Sequence, residues 1–83
     1  MRVRYFAWVK EKVGVTQEDI EPPAAIATVA ELIFWLKARG PEFAEAFAKS
    51  EVIRAAIDQV HVRHDAKIVG AREIAFFPPV TGG

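Results

Sequence analysis

The sequence contains no cysteine, and this excludes disulfides, iron–sulfur clusters, thiolate metal sites and a thiol nucleophile together. Any sulfur chemistry must use sulfur brought from elsewhere. Histidine is scarce: there are two, His61 and His64, whose odd spacing in strand and turn points them to opposite faces. They read as surface histidines, and no metal site is expected. No Lys/Arg run offers a phosphate-tracking patch, because eleven basic and eleven acidic side chains are scattered and cancel, which argues against nucleic acid as the main partner. No apolar stretch approaches the roughly 18 residues of a membrane span. The start, "MRVRYFAWVKEK", alternates charge with apolar residues where a secretion signal would carry an unbroken apolar block. No membrane association is expected, and a cytoplasmic location is.

What is present is the composition of a folded domain: 83 residues, 52% hydrophobic and 27% charged. A chain of this length makes one domain with a modest core. From Arg2 to Val9 the apolar pattern has period two, which predicts a strand over those residues. "KEKVG" turns the chain at Gly14. "TQEDIEPP" leaves room only for a short second strand, since Pro22 and Pro23 donate no ladder hydrogen bond. Thr28 and Glu31 fit a capping box, and Val29, Leu32, Ile33 and Leu36 follow at helical spacing. With Lys37 and Arg39 in the last turn and Gly40 suited to a left-handed cap, a helix is predicted over about 29–39.

Pro41 opens a second short helix with Phe43 and Phe47 on one seam. In "EVIRAAIDQVHV", Ile53, Ala55 and Ile57 share a face while Val60 and Val62 have the opposite parity, so a tight turn or bulge is expected near Asp58-Gln59. After a turn at Gly70, "EIAFF" is apolar on both faces, fitting either a central strand or a face kept for a partner. Helices segregated between strands make an α+β fold.

Few side chains suggest chemistry. Glu18, Asp19 and Glu21 lie in polar surroundings and read as solvated carboxylates. Phe34, Trp35, Phe43 and Phe47 read as core, with Trp35 placed beside the main stripe where it could meet a partner. Ser50 and Thr16 have no neighbouring base at a recognisable spacing. By elimination, no side chain reads as catalytic.

The last stretch, "AFFPPVTGG", is different. Each proline fixes φ and biases the preceding residue to extended geometry, so Phe77–Pro79 is expected to project as a stiff strut. Beyond it the side chains dwindle to glycine, which suits a slender probe entering a narrow channel. Its distinctive group is the α-carboxyl of Gly83. With a pKa of about 3.5 it is ionised at neutral pH, so acyl chemistry there requires activation, for example as a mixed anhydride with AMP. A sulfur nucleophile carried by another protein could then leave a thiocarboxylate.

The sequence resembles the MoaD family, the small subunit of molybdopterin synthase and a ubiquitin-like sulfur carrier. The resemblance runs through "FAWVKEKVG" (Phe6–Gly14), "TVAELIFWL" (Thr28–Leu36), "IRAAIDQ" (Ile53–Gln59) and above all "EIAFFPPVTGG" (Glu73–Gly83). It implies a β-grasp (ubiquitin-like) fold, a mixed sheet packed on one main helix plus a short second helix, with residues 1–77 as the domain and 78–83 as an extended Gly-Gly tail. It implies that a MoeB-like enzyme adenylates Gly83 using ATP, that a sulfur-donor protein converts it to the thiocarboxylate, and that no cofactor is permanently bound. Phe77, Pro78, Pro79, Val80, Thr81 and Gly82 would insert with Gly83 into a MoaE-like large subunit, in a heterotetramer of two small and two large subunits. There the sulfur would pass to cyclic pyranopterin monophosphate, building the molybdopterin dithiolene.

One departure stands out: "GARE" (Gly70–Glu73) replaces the family's more usual Gly-Asp-Glu turn, putting Arg72 where an acid is common. Two alternatives share the tail chemistry, a ubiquitin-like modifier joined to lysines through Gly83 and a sulfur carrier for another thiolation pathway.

Overall fold

The computed structural model describes residues 1–79. Five strands form one mixed sheet: β1 (Arg2–Tyr5), β2 (Gln17–Asp19), β3 (Arg54–Ile57), β4 (Val60–Val62) and β5 (Glu73–Phe77), in the order β2-β1-β5-β3-β4. β1 and β5 run parallel, and the other neighbours are antiparallel. The strand that is apolar on both faces, β5, is the central one.

The first strand is shorter than its pattern predicts. β1 ends at Tyr5, and Ala7–Val13 form a helix, α1, across what the period-two reading takes as strand and turn. Val9 and Val13 are one helical turn apart and both buried, so their spacing satisfies a helix seam as well as strand alternation. Ala7 marks the switch with φ of 52°. Gly14 closes α1 in the left-handed region, φ 94°, its N–H donating to the Lys10 carbonyl at 2.8 Å. A residue with a Cβ would be strained there.

The main helix, α2 (Val29–Lys37), has the expected capping box. The Glu31 N–H donates to the Thr28 hydroxyl (3.2 Å), and Glu31 Oε1 accepts from the Thr28 N–H (3.1 Å) and the Ala27 N–H (2.7 Å). Its far end differs from expectation. Ala38 is the C-cap in right-handed geometry, and the Ala38 and Arg39 N–H groups donate three residues back, to Trp35 and Leu36. This tightened last turn completes the helix without a left-handed residue. Gly40 is instead fully extended, φ 169°, as the residue before a proline favours, and leads into α3 (Pro41–Ala46).

The helices cover one face of the sheet. Val3, Tyr5, Ala55, Ile74 and Phe76 point into a core completed by Val9, Val29, Leu32, Leu36, Phe43 and Phe47. Aromatic edges tie it together: Tyr5 meets Phe43 and Phe47 at 6.3 and 6.5 Å, and Phe47 meets Phe76 at 5.2 Å and 83°. Phe34, expected in this core, is 77% exposed. It follows Ile33 by 100° of helical rotation and so turns away from the stripe that Leu32 and Leu36 define. Trp35 is half-buried, and the Arg39 guanidinium lies over its ring and over that of Phe43.

Glu18 also departs from the solvated reading. β2 alternates, so Glu18 points to the helix side, where its carboxylate accepts from the Tyr5 hydroxyl (2.7 Å) and from both terminal nitrogens of Arg39 (2.8 and 2.9 Å). Burial works to raise the Glu18 pKa, but the bonds from Arg39 and Tyr5 outweigh it and hold the carboxyl below its usual value. The Tyr5 hydroxyl is pushed well above the ordinary tyrosine value, first by burial and then by its bond to Glu18.

Candidate functional site

The opposite face of the sheet carries no helix among the described residues. By register, one row across it reads Gln17, Arg4, Ala75, Ala56 and His61, from β2 to β4. Ala56 and Ala75 are buried yet stand outside the core cluster. They form a floor shielded by longer neighbours.

Phe77 ends β5 on this same face, opposite Arg54 of β3. It is half-buried, and its ring packs against His61 with centroids 5.2 Å apart and planes at 51°. Phe6 also reaches this face, with the Arg4 guanidinium 5.1 Å from its ring centre. The Phe6 N–H donates to the Phe76 carbonyl (3.1 Å), fastening the end of β1 beside the root of the tail. Pro78 and Pro79 follow, both half-buried. Val80, Thr81, Gly82 and Gly83 lie outside the described residues.

The other sequence candidates are placed apart. The two histidines diverge as expected, His61 onto the open face beside Phe77 and His64 to the sheet margin, where its Nε2 donates to the Ile53 carbonyl at 2.8 Å. Among the described residues no group of three or more His, Cys, Asp or Glu could hold a metal ion. No helix among them is long and apolar enough to cross a membrane.

The turns beside β5 are well made despite the "GARE" departure. Asp58 and Gln59 both take positive φ, 48° and 71°, forming the tight turn expected where the apolar parity flips. Asp58 Oδ1 then accepts from the N–H groups of Arg72 (3.1 Å) and Glu73 (3.0 Å). Gly70 takes the left-handed position, φ 79°. An acid from β3's turn thus holds the entry to β5.

Arg4, Arg54 and Phe6 were not singled out from sequence. The signal was present in the period-two parity of "RVRY" and "RAAI", but their gathering around Phe77 depends on strand order, which parity does not specify.

A mixed sheet with a parallel central pair, wrapped on one principal helix, is the β-grasp architecture of ubiquitin-like proteins. The chain belongs to the ThiS family, whose profile matches residues 3–83. It is 35% identical to the molybdopterin synthase sulfur carrier subunit of Escherichia coli and 34% identical to that of Haemophilus influenzae, over 83 residues in each case, spanning all of this chain and 99% of each relative. Among solved structures it is similar to a putative molybdopterin converting factor, subunit 1, from Pyrococcus furiosus (TM-score 0.73, 30% identity, 95% of each chain). SAMP1 from Haloferax volcanii shares the fold, with a TM-score of 0.73 at 22% identity, over 100% of this chain and 98% of that one.

Proposed function

We propose that this protein is the sulfur carrier subunit of a molybdopterin synthase, acting in molybdenum cofactor biosynthesis through a thiocarboxylate on Gly83. The observation that carries the reading is full-length similarity to two sulfur carrier subunits of that synthase, with a family match that continues through Gly83. The described residues support it from the other side: the polar groups at the rim of the core, Tyr5, Glu18 and Arg39, are engaged with one another in structure.

In this reading the domain is a handle and the tail, 78–83, is the working part. An activating enzyme of the MoeB type joins the Gly83 carboxylate to AMP, releasing pyrophosphate from ATP. A sulfur-donor protein then displaces AMP and leaves the thiocarboxylate. The tail from Phe77 onward enters the large subunit, of the MoaE type, where sulfur passes to cyclic pyranopterin monophosphate and the carboxylate is regenerated for another round. The catalytic side chains belong to the large subunit, two of each subunit form the assembly, and the cycle runs in the cytoplasm. The absence of Cβ atoms at the two final positions keeps the reacting carbonyl unhindered.

The test is chemical. After incubation with the activating enzyme, ATP and a sulfur donor, intact mass should report exchange of one oxygen for sulfur, mapped to Gly83 by peptide fragmentation. Deleting Gly83, or appending one residue to it, should abolish that exchange and leave the melting curve unchanged. Full sulfur transfer by the extended variant would refute the proposal.

A further inference from the structure

Phe34 is 77% exposed, and no other aromatic ring among the described residues is more than half exposed. It stands on the outer side of α2, away from the buried stripe of Val29, Leu32, Ile33 and Leu36. The residues one turn before and after it, Ala30 and Ala38, are exposed as well, so the ring rises between two small side chains with a shallow gap on either side. Burying such a ring against a matching surface is favourable. A lone exposed ring names no occupant, but the charges beside it do.

Glu31 precedes Phe34 by three residues and Lys37 follows it by three, so at about 100° per residue they flank the ring about 60° to either side. Lys37 makes no ion pair among the described residues. Glu31 uses Oε1 for the N–H groups of Ala27 and Thr28, which hold its carboxyl below the usual value, and Oε2 takes no hydrogen bond among the described residues. Lys67 attracts this carboxylate without pairing to it. The capping box therefore fixes a negative charge on one flank, opposite a free positive charge on the other. Acid, ring and base in that order make a surface complementary to itself.

We infer that this face of α2 pairs with α2 of a second copy of this chain, about a two-fold axis passing beside Phe34. Two such helices crossing at their Phe34 positions bring ring to ring, and the axis sets each Glu31 against the other copy's Lys37. The flanking alanines let the two helices approach closely. The contact is smaller than a permanent dimer requires, so the association is weak and reversible. Because α2 and the open face lie on opposite sides of the sheet, Phe77–Pro79 stay uncovered in the pair.

The test is sedimentation equilibrium of the full chain from about 10 µM to about 1 mM, where the average mass should climb from monomer toward dimer. Phe34→Ser should weaken self-association at least about tenfold and leave the melting curve near the original, since the ring lies outside the core. Glu31→Gln keeps the capping box but removes the charge. It and Lys37→Glu should each weaken association at least about threefold, more at low salt than at high. Carbodiimide treatment of mixed unlabelled and nitrogen-15-labelled chains should join Lys37 of one copy to Glu31 of the other, seen by mass spectrometry as a mixed-isotope peptide pair. A monomer at every concentration with no mixed-isotope cross-link overturns the inference, as does association that Phe34→Ser leaves unchanged. Weaker binding of Phe34→Ser to the large synthase subunit overturns it too and assigns this face to that protein. Each of these outcomes leaves the carrier role standing, because Phe34→Ser should still exchange oxygen for sulfur at Gly83 at the original rate.

Discussion

Phe76 and Phe77 are consecutive residues of one strand, yet Phe76 is sealed beneath the helices against Phe47, while Phe77 lies half-buried against His61 on the face that carries no helix among the described residues. The two rings differ by one step of strand alternation. The difference teaches how a small domain divides its apolar residues: one face of each strand supplies the core, and the other holds apolar surface back at the root of the tail. On the covered side the polar groups bond to one another, as Tyr5, Glu18 and Arg39 do at the rim of the core. On the open side the arginines face outward.

The largest effect should come from Phe76→Ala, which opens a cavity in the core and should lower unfolding free energy by about 3–5 kcal/mol in urea denaturation. If Phe76→Ala were as mild as a surface change, the covered and open faces would not be distinct. Phe77→Ala should do the reverse, leaving the urea midpoint nearly in place while weakening large-subunit binding by about 1–3 kcal/mol in calorimetry. Unchanged affinity with a large loss of stability would move Phe77 into the core.

A smaller effect is expected at the edge of the covered side. Thr28→Ala removes one half of the capping box and should lower stability by about 1 kcal/mol, with no change in partner affinity. The smallest concerns acid. Because Glu18 is held below its ordinary value in the folded protein, its contribution is fully present above the unfolded carboxylate value, 4.5, and is lost as pH falls through the lower folded value. Glu18→Gln should therefore flatten the acid limb of a melting-temperature profile. An unaltered acid limb would show that the cluster contributes nothing to the covered face.

Much of this architecture was legible in the residues. The Thr28/Glu31 box, the Phe43–Phe47 seam, the parity flip at Asp58-Gln59 and the two-faced apolar strand each rest on local chemistry that tertiary packing did not override. The misread elements are instructive for the opposite reason. Val9 and Val13 satisfy two periods at once, and packing of α1 against α3 chose the helical one. Phe34 was hydrophobic but one position off the stripe. Glu18 reads as solvated because strand alternation in a three-residue segment gives too few repeats of the pattern to reveal which side is covered. The grouping on the open face was hidden for a further reason: Arg4, Arg54, His61 and Phe77 come from four strands, and only the crossover that sets β5 between β1 and β3 brings them onto one face.

That central placement of β5 has a mechanical corollary. Hydrogen-bonded to β1 on one side and β3 on the other, the strand cannot be peeled from an edge. A tug on the proline segment is shared by two ladders loaded in shear. A partner could therefore draw the end of the chain into a tight tunnel and release it again, cycle after cycle, without unravelling the body that anchors it.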